Sequence, residues 1–229
     1  MSRTSCIIFA AKHLRPEFIQ GRRVLDVGAC DFNGSIRPLL MSYEPEQYLG
    51  IDIHPGPCVD RVLDAADLSQ EYGDDSFDVV LAIEMLQHCR NWKAALSNMK
   101  RVCRPGGKIV VTVPSRGHPY HGYPSDFWRY EMDDLSTMFS DYEVLALEED
   151  ERGRGTFICA RKPANYQETD LTNYRLYSIV TNDPVSNLRD EDFKSWQFKK
   201  IFFIETIKAW FNSLYQKLSE ACSKLTRSR

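Results

Sequence analysis

The chain has 229 residues, 43% of them hydrophobic, and a net charge of −3. This length suits one α/β domain with a further segment, since domains commonly hold about 100–200 residues. The charge excludes a global basic field, so no nucleic-acid partner is expected. Seven cysteines without a C-x-x-C pair argue against a zinc knuckle or a disulfide framework and favour reduced thiols in the cytoplasm, and we expect no metal site.

The first predicted element is an amphipathic helix over about 5–20. Its apolar run "SCIIFAA" is at the short limit for an export signal, and "KHLRPEF" follows it directly, so we expect no secretion signal here. No stretch approaches 18 uninterrupted apolar residues, so a membrane span is not expected.

Apolar runs of strand length then alternate with helical patterns. The strands are predicted at 22–28, 47–53, 60–65, 77–86 and 108–114. The helices are predicted at 33–45, 91–103 and 132–140. The breaker "RPGG" ends the second of these helices. Alternation of this kind predicts a doubly wound α/β fold with a mostly parallel sheet.

The alternation of strands and helices stops after the last of these helices. Two further strand patterns, "YEVLALEED" and "GTFICARKP", are separated only by "ERGR". Parallel neighbours need a dozen or more connecting residues, so these strands are predicted to form an antiparallel hairpin. Residues 163–192 are polar and irregular, with one strand pattern at "YRLYSIV", and we expect a connecting segment there after a domain spanning 1–162.

The loop within "VLDVGACDFNGS" (24–35) follows the first strand. In an open parallel sheet, ligands bind at the carboxyl ends of the strands. Gly28 stands where a Cβ would block a close approach. Asp52 follows the second strand, where an acid can accept hydrogen bonds from ribose hydroxyls. Asp64 follows the third strand and could contact an adenine amino group. Turn or helix-capping roles are the alternatives for both acids, and these residues together predict a nucleoside ligand.

The whole arrangement resembles the class I S-adenosylmethionine-dependent methyltransferases, in particular the type 11 branch. The likeness covers 24–162 and rests on "VLDVG", "GIDI", "SFDVVLAIEMLQH", "MKRVCRPGGKIVVTVP" and the terminal hairpin. The resemblance implies a seven-stranded sheet with a reversed last strand, and S-adenosyl-L-methionine as cofactor. It implies that Asp26, Gly28 and Ala29 meet the methionine part of the cofactor, that Asp52 binds the ribose, and that Ile53 lies beside the adenine.

The same resemblance assigns further cofactor contacts. Asp64 matches the residue that meets the adenine amino group, and Ala65 is next to it. Ile83 and Glu84 match the turn after the fourth strand, which closes over the cofactor.

The first loop departs from the common G-x-G-x-G pattern of the family. This chain has Gly28, Cys30 and Phe32 at those positions. A dehydrogenase needs these loop glycines to admit a pyrophosphate, whereas S-adenosylmethionine has no phosphate. The loop therefore favours the methyl donor over a nucleotide-dependent Rossmann oxidoreductase. That oxidoreductase and a non-catalytic methyltransferase-like module remain as alternatives.

The insertion "PSRGHPYHGYPSDFWRYEMDD" (114–134) is predicted to emerge beside the cofactor and to bind the acceptor. We expect that acceptor to be a small or sugar-like molecule, methylated on oxygen or nitrogen. The candidate catalytic residues are His121, Tyr123 and His118, with His121 first as general base. The candidate substrate-binding residues are Arg116, Tyr123, Trp128 and Arg129.

Structural roles are the alternatives for part of this insertion. Trp128 could be a packing residue, Arg129 could pair with Asp126 or Glu131, and His88, a further base candidate, could be structural.

The final segment, 193–229, has eight Lys and Arg against two Glu. Its apolar residues recur at steps of three and four, which predicts an amphipathic helix. Three interpretations remain open: an interfacial helix on anionic lipid, a lid or homodimer helix, or ordinary packing against the domain.

Overall fold

The computed structural model describes residues 3–32, 34–121, 125–150, 153–204, 207 and 211. Its strands are β1 (Arg23–Val27), β2 (Gln47–Asp52), β3 (Arg61–Val62), β4 (Phe77–Ile83), β5 (Cys103–Pro114), β6 (Trp128–Arg129), β7 (Glu143–Asp150), β8 (Gly155–Arg161), β9 (Leu176–Ser178) and β10 (Asp183–Val185). Seven of them form one sheet in the order β3-β2-β1-β4-β5-β8-β7.

The pairing within this sheet confirms the predicted α/β class. β1 pairs in parallel with β2 and β4, β2 with β3, and β4 with β5. β8 is antiparallel to both β5 and β7, because the short connection between β7 and β8 leaves no room for a crossover. The carboxyl ends of β1, β2 and β4 therefore lie at one edge, where the candidate ligand site was expected.

Helices cover both faces of the sheet. They are α1 (Thr4–His13), α2 (Pro16–Ile19), α3 (Arg37–Met41), α4 (Leu68–Tyr72), α5 (Trp92–Val102) and α6 (Met132–Met138), with a further helix at 196–204. Adjacent residues of β1 point to opposite faces, so Val24 packs in one core cluster with Phe9 and Leu40 of α1 and α3. Leu25 packs in the other cluster with Leu96 of α5.

The predicted N-terminal helix is divided in two. α1 ends at His13 and α2 begins at Pro16. The residue before a proline is disfavoured in the α region, and Arg15 is extended, with a ψ of 168°. Proline then occupies the first position of α2, where its missing N–H has no intrahelical partner to lose.

A second, small sheet of order β10-β9-β6 joins the irregular segment to the insertion after β5. Trp128 pairs with Ser178, and Arg129 pairs with Tyr177. Leu176 and its neighbours contribute buried side chains to the same core cluster as α5. The segment predicted as a connection is thus packed against the main sheet.

Candidate active site

The loop after β1, residues 28–32 (the cofactor loop), begins with a glycine in the left-handed region. Gly28 has a φ of 79°. Its N–H and that of Ala29 both donate to the Ile51 carbonyl at 2.9 Å, which fastens the loop to the end of β2. A Cβ on Gly28 would lie 2.3 Å from Cγ of Met85. Only glycine therefore permits this approach between the ends of β1 and β4.

Asp52 ends β2 beside the cofactor loop. Its carboxylate accepts hydrogen bonds from the N–H of Cys30 at 3.4 Å and of His54 at 3.0 Å. The carboxylate is half-buried and has about four acceptor sites, so it retains capacity for ribose hydroxyls. Ile53 next to it is 54% exposed, an apolar surface of the kind that an adenine ring covers. These residues fit an adenosyl group.

Asp64 and Ala65 follow β3 at the same edge. Asp64 accepts a hydrogen bond from the N–H of Ala66 at 2.9 Å and caps a short 3₁₀ turn. The residue is exposed, and Ala65 behind it is buried. The capping role foreseen as the alternative is therefore present, and a second acceptor contact by the same carboxylate is compatible with it.

Asp26 lies below this surface, within β1. It is 5% exposed, and its Oδ2 accepts a hydrogen bond from the Tyr48 hydroxyl at 2.7 Å. Burial raises the pKa of Asp26 to about 6, against the opposing effect of the Tyr48 hydrogen bond. The geometry favours a structural role for this carboxyl group, and its predicted contact with the cofactor stays a prediction.

Glu84 follows Ile83 at the end of β4 in an uncommon conformation. It has a φ of 56°, a region that costs a non-glycine residue energy and that clusters at functional sites. The residue is 5% exposed, and its N–H donates to the Thr112 carbonyl at 2.9 Å. Ile83 and Glu84 thus both lie at the carboxyl edge of the sheet, but the Glu84 carboxylate forms an ion pair with a cationic side chain of the protein itself.

That cation is Arg3, which no local pattern in the sequence indicates. Its Nη2 and Nε donate to the two carboxylate oxygens of Glu84 at 2.9 and 3.2 Å. Its Nη1 lies 3.4 Å from Asp150 Oδ2 and also donates to the Gly153 carbonyl. Arg3 therefore ties the start of α1 to β4 and to the turn of the β7–β8 hairpin.

Residues 84–89 (the β4 turn) contact both the cofactor loop and the insertion after β5. Met85 packs over Gly28 on one side. On the other side, the Leu86 carbonyl accepts a hydrogen bond from Tyr130, and the Cys89 carbonyl accepts one from Trp128. The cofactor loop and the insertion are therefore separated by one turn of chain.

The part of the insertion between β5 and α6, residues 115–131, is called the acceptor loop after its predicted role, and its described residues include a buried ion pair. Arg129 donates to Asp126 Oδ1 at 2.6 Å and to Oδ2 at 2.8 Å, and both residues are at most 1% exposed. Nδ1 of His121 lies 3.1 Å from Asp126 Oδ2. Burial opposes ionisation of Asp126, but Arg129 and His121 outweigh it and hold its pKa well below the usual range. A permanent carboxylate therefore faces the His121 ring.

Two further histidine rings surround His121. The ring centroids of His88 and His118 lie 5.1 and 4.9 Å from that of His121, both edge-on. Burial lowers the pKa of both neighbours. His88 Nδ1 contacts the Ser125 carbonyl, and His118 Nδ1 lies 3.0 Å from the Pro119 carbonyl. The three candidate bases are thus one cluster of imidazoles.

The remaining acceptor candidates differ in their surroundings. Trp128 is 0% exposed and donates a hydrogen bond to the Cys89 carbonyl, so it packs in the core. Because Trp128 and Arg129 are both buried, the geometry does not favour their predicted contact with the acceptor. The Arg116 guanidinium stacks 4.6 Å from the Tyr177 ring on the surface. Tyr123 lies outside the described residues. Within the described part of the chain, no group of three His, Cys, Asp or Glu side chains has the arrangement to hold a metal ion.

Residues 25–111 match the family described as "Methyltransferase domain". Over these residues the chain is similar to a methyltransferase domain, and its sheet has the class I methyltransferase fold. Domains of this family are S-adenosylmethionine-dependent. The matched residues run from β1 into β5, so the methyltransferase domain includes the cofactor loop and the β4 turn, while the acceptor loop follows it.

Curated relatives match this domain over part of their length. Phthiotriol/phenolphthiotriol dimycocerosates methyltransferase 1 of Mycobacterium ulcerans (strain Agy99) is 36% identical over 107 residues, which are 41% of this chain and 38% of the relative. O-methyltransferase cnsE of Penicillium expansum is 33% identical over 116 residues, which are 44% of this chain and 41% of the relative. The match thus spans about two fifths of these relatives.

A solved structure has the same fold as the methyltransferase domain. The 1,6-didemethyltoxoflavin-N1-methyltransferase of Burkholderia thailandensis superposes with a TM-score of 0.56 at 16% identity, over 70% of this chain and 77% of that one. That crystal structure holds 1,6-didemethyltoxoflavin and S-adenosylhomocysteine. At this identity the likeness concerns the fold.

Proposed function

We propose that this protein transfers the methyl group of S-adenosylmethionine to an oxygen or nitrogen atom of a small-molecule or sugar-like acceptor. The main support for this is the position of the β4 turn between the two loops. It contacts the cofactor loop through Met85, and its carbonyls accept hydrogen bonds from Tyr130 and Trp128 of the acceptor loop. A donor in the first loop and an acceptor at the second would lie side by side. Proximity and orientation are most of what methyl transfer requires.

The cofactor supplies a methyl group already activated on a sulfonium sulfur, so the chain's own residues hold and align. Asp52 would bind the ribose hydroxyls, and Ile53 would cover one face of the adenine. Gly28 and Ala29 would bring their backbone close to the methionine part. Ile83 and Glu84 would close the crevice at the end of β4.

His121 is the proposed general base. A hydroxyl or ammonium acceptor must lose a proton, and the Nε2 atom of His121 would accept it while Nδ1 faces Asp126. The 3.1 Å separation from that carboxylate would stabilise the imidazolium as it forms, since opposite charges attract strongly where water is excluded. The cluster with His88 and His118 supports this choice of residue, with Arg116 and Tyr123 kept as candidates for binding the acceptor.

The relatives support an enzyme over the alternatives. These relatives are a dimycocerosates methyltransferase and an O-methyltransferase, and the second favours transfer to oxygen. A cytoplasmic location is in keeping with the cysteines, because those within the described residues are free thiols. Among the described residues, no helix is long and apolar enough to cross a bilayer.

Calorimetry with S-adenosylhomocysteine and NADH tests the cofactor. We expect the first to bind and the second not to bind. Because a hydrogen bond to a charged group contributes about 1.5–3 kcal/mol, Asp52→Ala should weaken S-adenosylhomocysteine binding by roughly 10–150-fold. Glu46→Ala is the matched control, since Glu46 is an exposed acid that precedes the opposite end of β2. Binding of NADH alone would favour the oxidoreductase.

Transfer of labelled methyl from S-adenosylmethionine into pooled hydroxyl- and amine-bearing metabolites tests the reaction. His121→Ala should lower turnover by about 100-fold or more, the usual effect of a general base. His13→Ala, at the end of α1, is the matched control. Undiminished turnover in His121→Ala would remove the base, and cofactor binding without any transfer would favour the non-catalytic module.

A further inference from the structure

The helix at 196–204, called the tail helix, has apolar residues on two opposite faces. One face is packed against the protein: Phe198 is 4% exposed, and its ring lies 5.5 Å from Phe193 and 6.2 Å from Tyr120 of the acceptor loop. Phe193 in turn lies 5.9 Å from Phe127. Phe198 is not part of the apolar stripe predicted from steps of three and four, which runs through Trp196, Phe203 and Ile207.

The opposite face is exposed and equally apolar. Trp196 is 79% exposed, Phe203 is 64% exposed and Ile207 is 39% exposed. A step of seven residues places Trp196 and Phe203 on one side of the tail helix. Several large apolar side chains exposed close together mark an interaction site, whereas single exposed apolar residues are normal on any surface.

The positive charge beside this face indicates what kind of partner binds there. Lys199 and Lys200 are exposed on the tail helix, and residues 193–229 carry a net charge of +6. The other 192 residues therefore carry −9. A second copy docking through the same face would bring two such cationic segments together. A surface with anionic groups outside and an apolar interior would instead attract the lysines and bury the aromatic side chains.

We propose that the exposed face of the tail helix, which carries Trp196, Lys199, Lys200 and Phe203, docks onto a bilayer that contains anionic lipid, together with the exposed Ile207 further along the chain. Trp and Phe side chains would enter the headgroup boundary, and the lysines would remain at the level of the lipid phosphates. The other face stays on the acceptor loop through Phe198. Where the proposed methyl transfer holds, the acceptor would therefore be an amphiphile presented at the bilayer surface.

Vesicle flotation of the full chain tests the docking without any catalytic readout. We expect binding to vesicles of phosphatidylcholine with phosphatidylglycerol, weaker binding to phosphatidylcholine alone, and loss at high salt, where surface charges are screened. Lys199→Gln with Lys200→Gln should weaken binding about thirtyfold, since each basic residue near an anionic surface contributes about fivefold.

The aromatic side chains need a separate variant. Trp196→Ser with Phe203→Ser should weaken vesicle binding by at least about tenfold, and circular dichroism should show an unchanged fold because both residues are exposed. Ile8→Ser, at a residue 62% exposed on α1, is the matched control and should bind as the wild type does. Failure to float with anionic vesicles, or full binding by the Trp196 and Phe203 variant, overturns the proposal. A dimer in sedimentation equilibrium that the same variant dissociates would assign the face to a second copy instead.

Discussion

Gly28 shows how one residue can set the distance between two strand ends. Its φ of 79° costs a side-chain-bearing residue energy, and a Cβ would also collide with Met85. Gly21 has a similar φ of 63°, but a Cβ added there would meet no heavy atom within 4 Å. The two glycines therefore have nearly the same φ, but only Gly28 has side-chain atoms close to the position of an added Cβ.

We expect Gly28→Ala to lower the free energy of unfolding by more than Gly21→Ala. The conformational cost of about 1–2 kcal/mol is common to both, and the collision with Met85 applies to Gly28 alone. Urea denaturation of both variants measures the difference. Equal destabilisation would mean that Met85 moves aside without cost, and the close approach of β1 to β4 would then have no energetic consequence.

Asp26 makes stability depend on pH. Its folded-state pKa of about 6 lies above the value of about 3.9 expected in the unfolded chain. Between these values the unfolded state has lost its proton and the folded state retains it. Stability therefore falls as pH rises through this window.

The Asp26→Asn variant isolates this effect. Its amide keeps an acceptor for the Tyr48 hydroxyl but does not titrate. Relative to this variant, the wild type should lose about 3 kcal/mol of stability between about pH 4 and pH 6. Urea midpoints measured across this range check the sign, with Glu46→Gln as an exposed control for removing one carboxylate. A difference that is constant with pH would contradict the buried, proton-retaining state.

Among the ion pairs that attach α1 and its N-cap Arg3 to the sheet, Arg3–Glu84 and Lys12–Glu148 differ most clearly in burial. Arg3 and Glu84 have side chains 19% and 1% exposed, whereas Lys12 and Glu148 are 54% and 42% exposed. Breaking a buried pair leaves an uncompensated charge and costs about 3–5 kcal/mol. An exposed pair contributes at most about 1 kcal/mol.

Arg3→Met should therefore destabilise the protein by about 3 kcal/mol, near the lower end of that range because Arg3 retains some exposure. Lys12→Met, on the same helix, should have an effect below about 1 kcal/mol. Adding Glu84→Met to Arg3→Met should restore part of the loss, since the Glu84 carboxylate is then no longer buried without its partner. Chemical denaturation of the wild type, Arg3→Met, Glu84→Met and the double variant completes the cycle, and a double variant less stable than Arg3→Met would contradict the pairing.

For the whole molecule, sequence reasoning succeeded where the signal was local. The period and length of the apolar runs predicted the strands of the main sheet, and the short link between β7 and β8 predicted their antiparallel pairing. The contact of Arg3 with Glu84 spans 81 residues, and nothing near either residue indicates the other. The pairing of β6 with β9 was missed for the same reason, because both strands are short and their partners lie far apart in sequence.

The segment between β8 and the tail helix should unfold together with the main sheet. Leu176 and Val180 are fully buried in the core cluster that contains Trp92, and Tyr174 lies 6.3 Å from the Trp92 ring. Single cooperative units give coincident transitions by different probes. We therefore expect the near-ultraviolet and far-ultraviolet dichroism of the full chain to follow one urea transition.

Leu176→Ala should lower the free energy of unfolding measured by both signals by about 2–5 kcal/mol. Val62→Ala, at an exposed position of β3, should change neither value by much. An early transition that leaves the far-ultraviolet signal of the main sheet intact would contradict cooperative unfolding of this segment with the sheet.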